Sequence, residues 1–276
     1  MDYGPLLPDM RLRIAHSMVY RYDPPAGGAI QVLRLSPRNH DGQYVVRWRI
    51  DVFPDARLAA HEDAFGNMTH VFTADGPLEE LRVEVDGEVE TQNADGIVRG
   101  TIERFPPNLF LRDTALTQAD ARICAFAETI RTAGHDGALG ELHGLLDGLH
   151  AELAHEPHPH DTGANAAKAF ERKSGTATDL AHIFIGAAHS LGIPARFVAG
   201  YFRQADAGVE QSGHAWAEAY VPDLGWIAFD PANGFCPTDA HVRVAVGLDA
   251  LGAAPLRGTR YGAGAEALEI AIKVGQ

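Results

Sequence analysis

The sequence predicts an α+β protein in two parts, an antiparallel β domain over residues 1–105 and a mixed α+β domain over residues 106–276. Three observations carry that expectation. Apolar and polar side chains alternate through much of the first hundred residues, the period of strands with one buried face. Near Phe105-Pro106-Pro107-Asn108 the spacing changes to that of helices. Beyond one strongly apolar helix, strand-like stretches return.

Leu12, Ile14, Met18 and Tyr20 share one face of the first strand, as Tyr44, Val46, Trp48, Ile50 and Val52 share one face of the second. Leu81, Val83 and Val85 lead into Asp86-Gly87, and Val89 and Thr91 resume the alternation. A hairpin is expected there, because Asp-Gly readily takes the positive φ angles of a two-residue type I′ turn. Pro24-Pro25-Ala26-Gly27-Gly28, Asn39-His40-Asp41-Gly42 and Phe65-Gly66-Asn67 read as further turns. In the second part Ile123, Phe126, Ala127 and Ile130 follow helical spacing, with Cys124 expected in the core beside them, and Leu139, Leu142, Leu145, Leu146 and Leu149 form another helix. The clearest helix covers residues 179–191, where Leu180, Ile183, Phe184, Ala187, Ala188 and Leu191 make one stripe. Gly192 supplies its stop and Pro194 forbids continuation. Strands are expected at 195–201, 214–221, 226–230 and 241–246.

Composition narrows the function classes. The chain has 276 residues, 46% hydrophobic and 22% charged, which suits packed cores and excludes disordered, collagen-like and coiled-coil architectures. Lys and Arg number 23 against 37 Asp and Glu, a net charge of −14, so a nucleic-acid partner is not expected. No apolar run approaches the roughly 20 residues that span a bilayer, and no membrane association is expected. The opening residues carry acid and proline where a signal peptide has a basic start and an apolar stretch. Two cysteines, Cys124 and Cys236, build no disulfide framework and fit a reducing compartment, so a cytoplasmic protein is expected.

His214 and Asp230 lie on successive strand candidates joined by Val221-Pro222-Asp223-Leu224-Gly225. Antiparallel pairing would set the imidazole beside the carboxylate, which fixes the tautomer and stabilises a protonated ring. With 14 histidines in the chain, spacing alone does not separate a functional pair from a structural one.

The surrounding residues do more. Gly175-Thr176-Ala177-Thr178-Asp179-Leu180-Ala181-His182, then Leu191-Gly192-Ile193-Pro194-Ala195-Arg196-Phe197-Val198-Ala199-Gly200-Tyr201, then His214-Ala215-Trp216-Ala217-Glu218-Ala219-Tyr220, then Gly225-Trp226-Ile227-Ala228-Phe229-Asp230-Pro231 form an ordered series. This series resembles the bacterial transglutaminase-like superfamily. Arg34-Leu35-Ser36-Pro37-Arg38 and Asp63-Ala64-Phe65-Gly66-Asn67 resemble the β domain that precedes this module in many bacterial members. The resemblance implies a papain-like core in which a cysteine opens the central helix, a histidine stands on the next strand and an aspartate on the strand after. A thiolate there attacks an amide carbonyl, and an amine or water resolves the thioester. His214 matches the family base and Asp230 the residue that orients it.

Ala177 stands in the cysteine position, while Asp179 and His182 keep their family places. A methyl group attacks nothing. The leading expectation is a pseudoenzyme that binds a peptide, amide or protein partner in the remnant cleft, with no cofactor or metal. The alternatives are an active amide hydrolase or acyltransferase with Thr176, Thr178 or Cys236 as surrogate nucleophile, or an engineered Cys-to-Ala form. Residues 176 and 178 also depart from the family pattern, which a single knock-out would not explain. His155-Glu156-Pro157-His158-Pro159-His160-Asp161 holds possible zinc ligands but reads as a stiffened, solvated loop. His143 and His150 share one helical face, Trp216 and Trp226 read as sheet packing, and Arg196 reads as an architectural ion-pair residue. Arg172 and Lys173 are expected on the surface.

Overall fold

The computed structural model describes residues 10–157, 164–204 and 213–276. It opens with four strands, β1 (Met10–Ser36), β2 (Gln43–Phe53), β3 (Ala59–Glu62) and β4 (Met68–Thr91), and a short β5 (Ile97–Val98). Helices α1 (Ala121–Thr132) and α2 (Gly137–Glu152) follow, then β6 (Ala154–His155), α3 (Ala166–Arg172), β7 (Ser174–Gly175) and α4 (Ala177–Ser190). The chain closes with β8 (Ala195–Phe202), β9 (His214–Val221), β10 (Gly225–Phe229), β11 (His241–Gly247), β12 (Leu256–Tyr261) and β13 (Ala265–Gly275). The fold is α+β, with mostly antiparallel sheet and a helical layer.

The first sheet runs β12-β1-β4-β2, with β13 on β1 and β3 on β4. One expected hairpin and one expected turn are absent from it. Asp86-Gly87 lies inside the continuous strand β4, opposite Ala15 and Ile14 of β1 and Arg49 and Trp48 of β2. Gly87 is glycine there because the Trp48 ring lies across it, and a Cβ would collide with that ring. Pro24 to Gly28 likewise lies within β1, where the β1–β4 register shifts between Arg21 and Ala26 and again between Ala26 and Gly28. The proline-glycine run bends a strand rather than ending it. The turns at Asp41-Gly42 and around Gly66 fall where the sequence puts them.

The second sheet runs β11-β8-β9-β10-β5. Its helix-facing side meets α4, whose length is almost wholly buried from Leu180 through Ala188. Such burial supplies roughly 1.5–3 kcal/mol for each large side chain. The opposite face buries Val198, Trp216, Ala228 and Val246.

A boundary at residue 105 does not separate these sheets. β5 joins the second sheet, and β12 and β13 return to the first. Leu12, Ile14, Val89, Ile272 and Val274 share one core with the α4 helix. Polar ties reinforce the junction: Gln43 bonds the backbone of Arg243 twice, and Asn67 does the same at Val246.

Arg196, buried on β8, pairs with Glu218 of β9 at 2.7 Å and with Glu103 at 2.7 Å, and its guanidinium lies 3.9 Å from the Trp226 ring centroid. Arg243 holds the second oxygen of Glu218 at 2.7 Å. Burial opposes that carboxylate's charge, yet the two guanidiniums pull its pKa down to about 2. Trp226 stacks edge-on with Phe110, and Trp216 is buried between the sheets.

Candidate functional site

The site forms where α4 begins. Thr176 is its N-cap: its hydroxyl accepts the Asp179 backbone N–H at 3.3 Å and donates to the Asp179 carboxylate at 2.9 Å, while Asp179 accepts the Thr176 backbone N–H at 2.9 Å. Asp179 also lies 3.9 Å from Arg172. This capping box sets Ala177 on the first turn, where its methyl lines a cleft of about 710 Å³. His214 lines the same cleft from the start of β9. The volume is that of a small-molecule or peptide-side-chain site.

Behind His214 lies a densely bonded carboxylate. Pairing of β9 with β10 brings His214 Nε2 to 2.6 Å from Asp230 Oδ2. The same oxygen accepts from Asn233 Nδ2 at 2.7 Å and from His241 Nε2 at 3.1 Å. The other oxygen accepts the backbone N–H groups of Ala232 at 3.2 Å and Asn233 at 3.3 Å. Burial alone would raise the Asp230 pKa, but the hydrogen bonds and charges of His214 and His241 outweigh it and hold the carboxyl well below the usual range. His241 is itself made harder to protonate, chiefly by burial, with Asp230 opposing.

His214, Asp230 and His241 present three possible ligand atoms within 4.8 Å of one another. Their hydrogen bonding does not fit a metal. His241 Nδ1 accepts the Thr238 backbone N–H at 3.1 Å, so the neutral ring carries its proton on Nε2. A cation at Nε2 would drive that proton onto Nδ1, against the Thr238 N–H.

Two more imidazoles line the cleft. His182 of α4 accepts the Ala250 backbone N–H on Nε2 at 3.0 Å, which leaves its proton on a buried Nδ1, and burial pushes its pKa down to about 4. His155 is also lowered, by burial and then by neighbouring His214. The rest of the motif His155 to Asp161 falls mainly on residues 158–163, outside the described residues.

The surrogate nucleophiles are placed poorly. Thr176 spends its hydroxyl on the capping box. Thr178 lines the cleft, but no hydrogen bond joins it to His214 among the described residues. Cys236 packs against Gly96, and burial with Asp95 and Asp147 pushes its thiol up to about 11, the reverse of an activated cysteine. Cys124, expected in the core, is exposed on α1, because Ile123, Phe126 and Ala127 take the inward positions. His143 packs on Phe229, and His150 lies against the Gly234 turn. Lys173 pairs with Glu152 at 2.7 Å, half-exposed, and Arg172 is partly buried through its reach to Asp179. Sequence reasoning passed over His241 and Asn233. Asn233 had a signal: it follows Asp230 by three residues in a Pro-Ala turn, the spacing at which a side chain bonds back.

Comparisons with known proteins agree on the architecture. Residues 12–90 match the family model of the bacterial transglutaminase-like N-terminal region, and residues 125–231 that of the transglutaminase-like superfamily. An uncharacterized protein of Mycobacterium leprae is 29% identical over 279 residues, covering 96% of this chain and 98% of its own. The uncharacterized protein YebA of Bacillus subtilis is 34% identical over 77 residues, 24% of this chain and 10% of that protein. The solved structure of a candidate cysteine protease from Cytophaga hutchinsonii superposes with a TM-score of 0.78 at 17% identity, over 98% of this chain and 91% of that one. At that identity the likeness shows the fold.

Proposed function

We propose, from the match of residues 12–90 to the bacterial transglutaminase-like N-terminal region and of residues 125–231 to the transglutaminase-like superfamily, that the chain is a pseudoenzyme of that superfamily whose cleft binds a peptide, amide or protein ligand without turning it over. One observation carries the reading: Ala177, which the resemblance puts in the family's cysteine position, opens α4 on the cleft that His214, bonded to Asp230, also lines. The helix start and the dyad support a thiol chemistry for which the described lining of the cleft supplies no thiol. The surrogate readings are disfavoured by the capping role of Thr176 and by the raised thiol of Cys236.

The test is turnover of a glutamine-containing dipeptide, with water or hydroxylamine as acceptor. The unmodified protein is expected to match background. Ala177→Cys is expected to gain activity if the oxyanion donors persist, because members of a catalytic unit act non-additively. Turnover by the unmodified protein that is abolished by Thr176→Val, Thr178→Val or Cys236→Ser would overturn the proposal.

A further inference from the structure

The imidazoles around the cleft can be assigned proton by proton, and the assignment says what the cleft reads. His214 gives Nε2–H to Asp230, so in its neutral form Nδ1 holds a lone pair. Nδ1 has no partner among the described residues, and the thiol that would have met it is a methyl group. Asp230 does not depend on His214 for satisfaction, since it also accepts from His241, Asn233 and two backbone N–H groups. His241 in turn cannot swap tautomers, because the Thr238 N–H occupies its Nδ1. The ring of His241 packs 4.4 Å from the Phe202 centroid and 5.4 Å from that of Trp216, which fixes its plane.

The opposite wall supplies the complementary groups. The Asp179 N–H goes to Thr176 Oγ1 and the Leu180 N–H to the Thr176 carbonyl, which leaves the Ala177 and Thr178 amides as first-turn donors without a helix partner. His214, Ala177 and Thr178 line one cleft, and an acceptor with donors is the set that an amide group satisfies with its N–H and C=O.

Charge is balanced within the wall. Asp179, the charged residue lining the cleft among those described, is tied to Thr176 and Arg172. His155 and His182 both resist protonation. Among the described residues an ammonium or carboxylate of a ligand would find no free counter-charge there and would lose its hydration. Beside the uncharged Thr178 and Gln204 the lining is largely apolar, with Leu116 and Phe202 inside and Leu251 and Ile270 at 52% and 54% exposure, high for large aliphatic side chains.

We propose that His214 serves as the hydrogen-bond acceptor that anchors the N–H of an uncharged, apolar amide ligand, and that His241 is the positioning residue that holds it in that role. The proposal rests on the ligand-binding reading of the cleft given above. It assigns His241, which no thiol chemistry requires, and it names what the ligand presents.

N-acetyl-leucine methylamide and its ester isostere, methyl O-acetyl-leucate, differ in whether N–H or oxygen occupies the two linking positions. Both are titrated against the full chain, with methyl NMR shifts at Leu251 and Ile270 as the readout and N-acetyl-leucine as the charged control. The methylamide is expected to bind three- to tenfold tighter than the ester, the worth of about one net hydrogen bond, and tighter than the carboxylate. His214→Phe should abolish the N–H preference, His241→Phe should reduce it, and His241→Gln, which can still donate to Asp230, should restore it. Equal binding of amide and ester, or a preference that survives His214→Phe, overturns the proposal and leaves the cleft's binding role standing. Binding of neither probe also overturns it, while the dipeptide turnover assay decides the pseudoenzyme reading separately. If His241→Phe fails to fold, the 15N spectrum of His214 in the unmodified protein decides. An unprotonated Nδ1 that shifts with the amide and not with the ester supports the acceptor role, and a protonated Nδ1 at neutral pH ends it.

Discussion

The two walls of the cleft differ in what they offer a ligand. The helix wall keeps its framework, a capped α4 whose first turn offers free amides, but the side chain that would use them is a methyl group. The strand wall holds more than a thiol site requires: Asp230 accepts five hydrogen bonds, two of them from imidazoles. On the function proposed above, a methyl at the helix start beside a densely bonded carboxylate leaves a cleft that recognises its ligand by hydrogen bonds.

The largest effect that sharpens this contrast is on stability. Asp230→Ala removes the carboxylate from five hydrogen bonds, the Asn233 N–H keeping the backbone carbonyl of residue 230, and is expected to cost about 3 kcal/mol in urea unfolding, whereas Ala177→Ser on the facing wall should stay within about 0.5 kcal/mol. Equal losses at the two positions would break the comparison.

Acid gives the next effect. Burial lowers His16, at the junction of the two sheets, and His182, in the cleft, to about 4, against 6.5 for the free imidazole. Between those values the unfolded chain takes up protons that the folded chain refuses, so stability falls as pH drops from 6.5 to 4 and is complete above 6.5. The loss by pH 4 is expected to be about 3 kcal/mol for each of the two imidazoles. Asp230 and Glu218, both depressed, hold their contributions until lower pH, Glu218 losing its own between 4.5 and about 2. His182→Gln should flatten the upper part of this profile, measured as urea midpoints across pH.

What the sequence made legible follows the range of the interactions. The stripe on α4 and the strands carrying His214 and Asp230 are local patterns, and they appear within one or two residues of expectation. The misreadings at Asp86-Gly87 and Pro24 to Gly28 arise because a glycine that frees a turn is chemically the same as one that admits a tryptophan or bends a strand. The alternation of Leu268, Ile270, Ile272 and Val274 marks a strand, yet nothing local says that it pairs with β1 some 250 residues away. His241 was invisible as a site residue for the same reason: only the β8–β11 pairing turns a strand-start histidine toward Asp230.

The smallest effect tests whether the emptied wall still polarises what is placed on it. In Ala177→Cys the new thiol sits on the first turn of α4, where the helix end favours an anion, and it shares the cleft with the His214 imidazole. Asp179, nearby on the same turn, and burial act against the anion, so the net displacement is modest. Alkylation by iodoacetamide across a pH series is expected to place this thiol about one unit below the unperturbed value of about 8.5, an effect of about 1.4 kcal/mol. Cys236 is the internal contrast, since burial holds its thiol up at about 11 and it should label only in alkali. N-acetyl-leucine methylamide should slow labelling at residue 177 and leave Cys124, exposed on α1, unaffected. An introduced thiol that titrates at or above the unperturbed value would mean that the helix wall has lost its polarity along with its nucleophile, and that the strand wall alone carries what function the cleft retains.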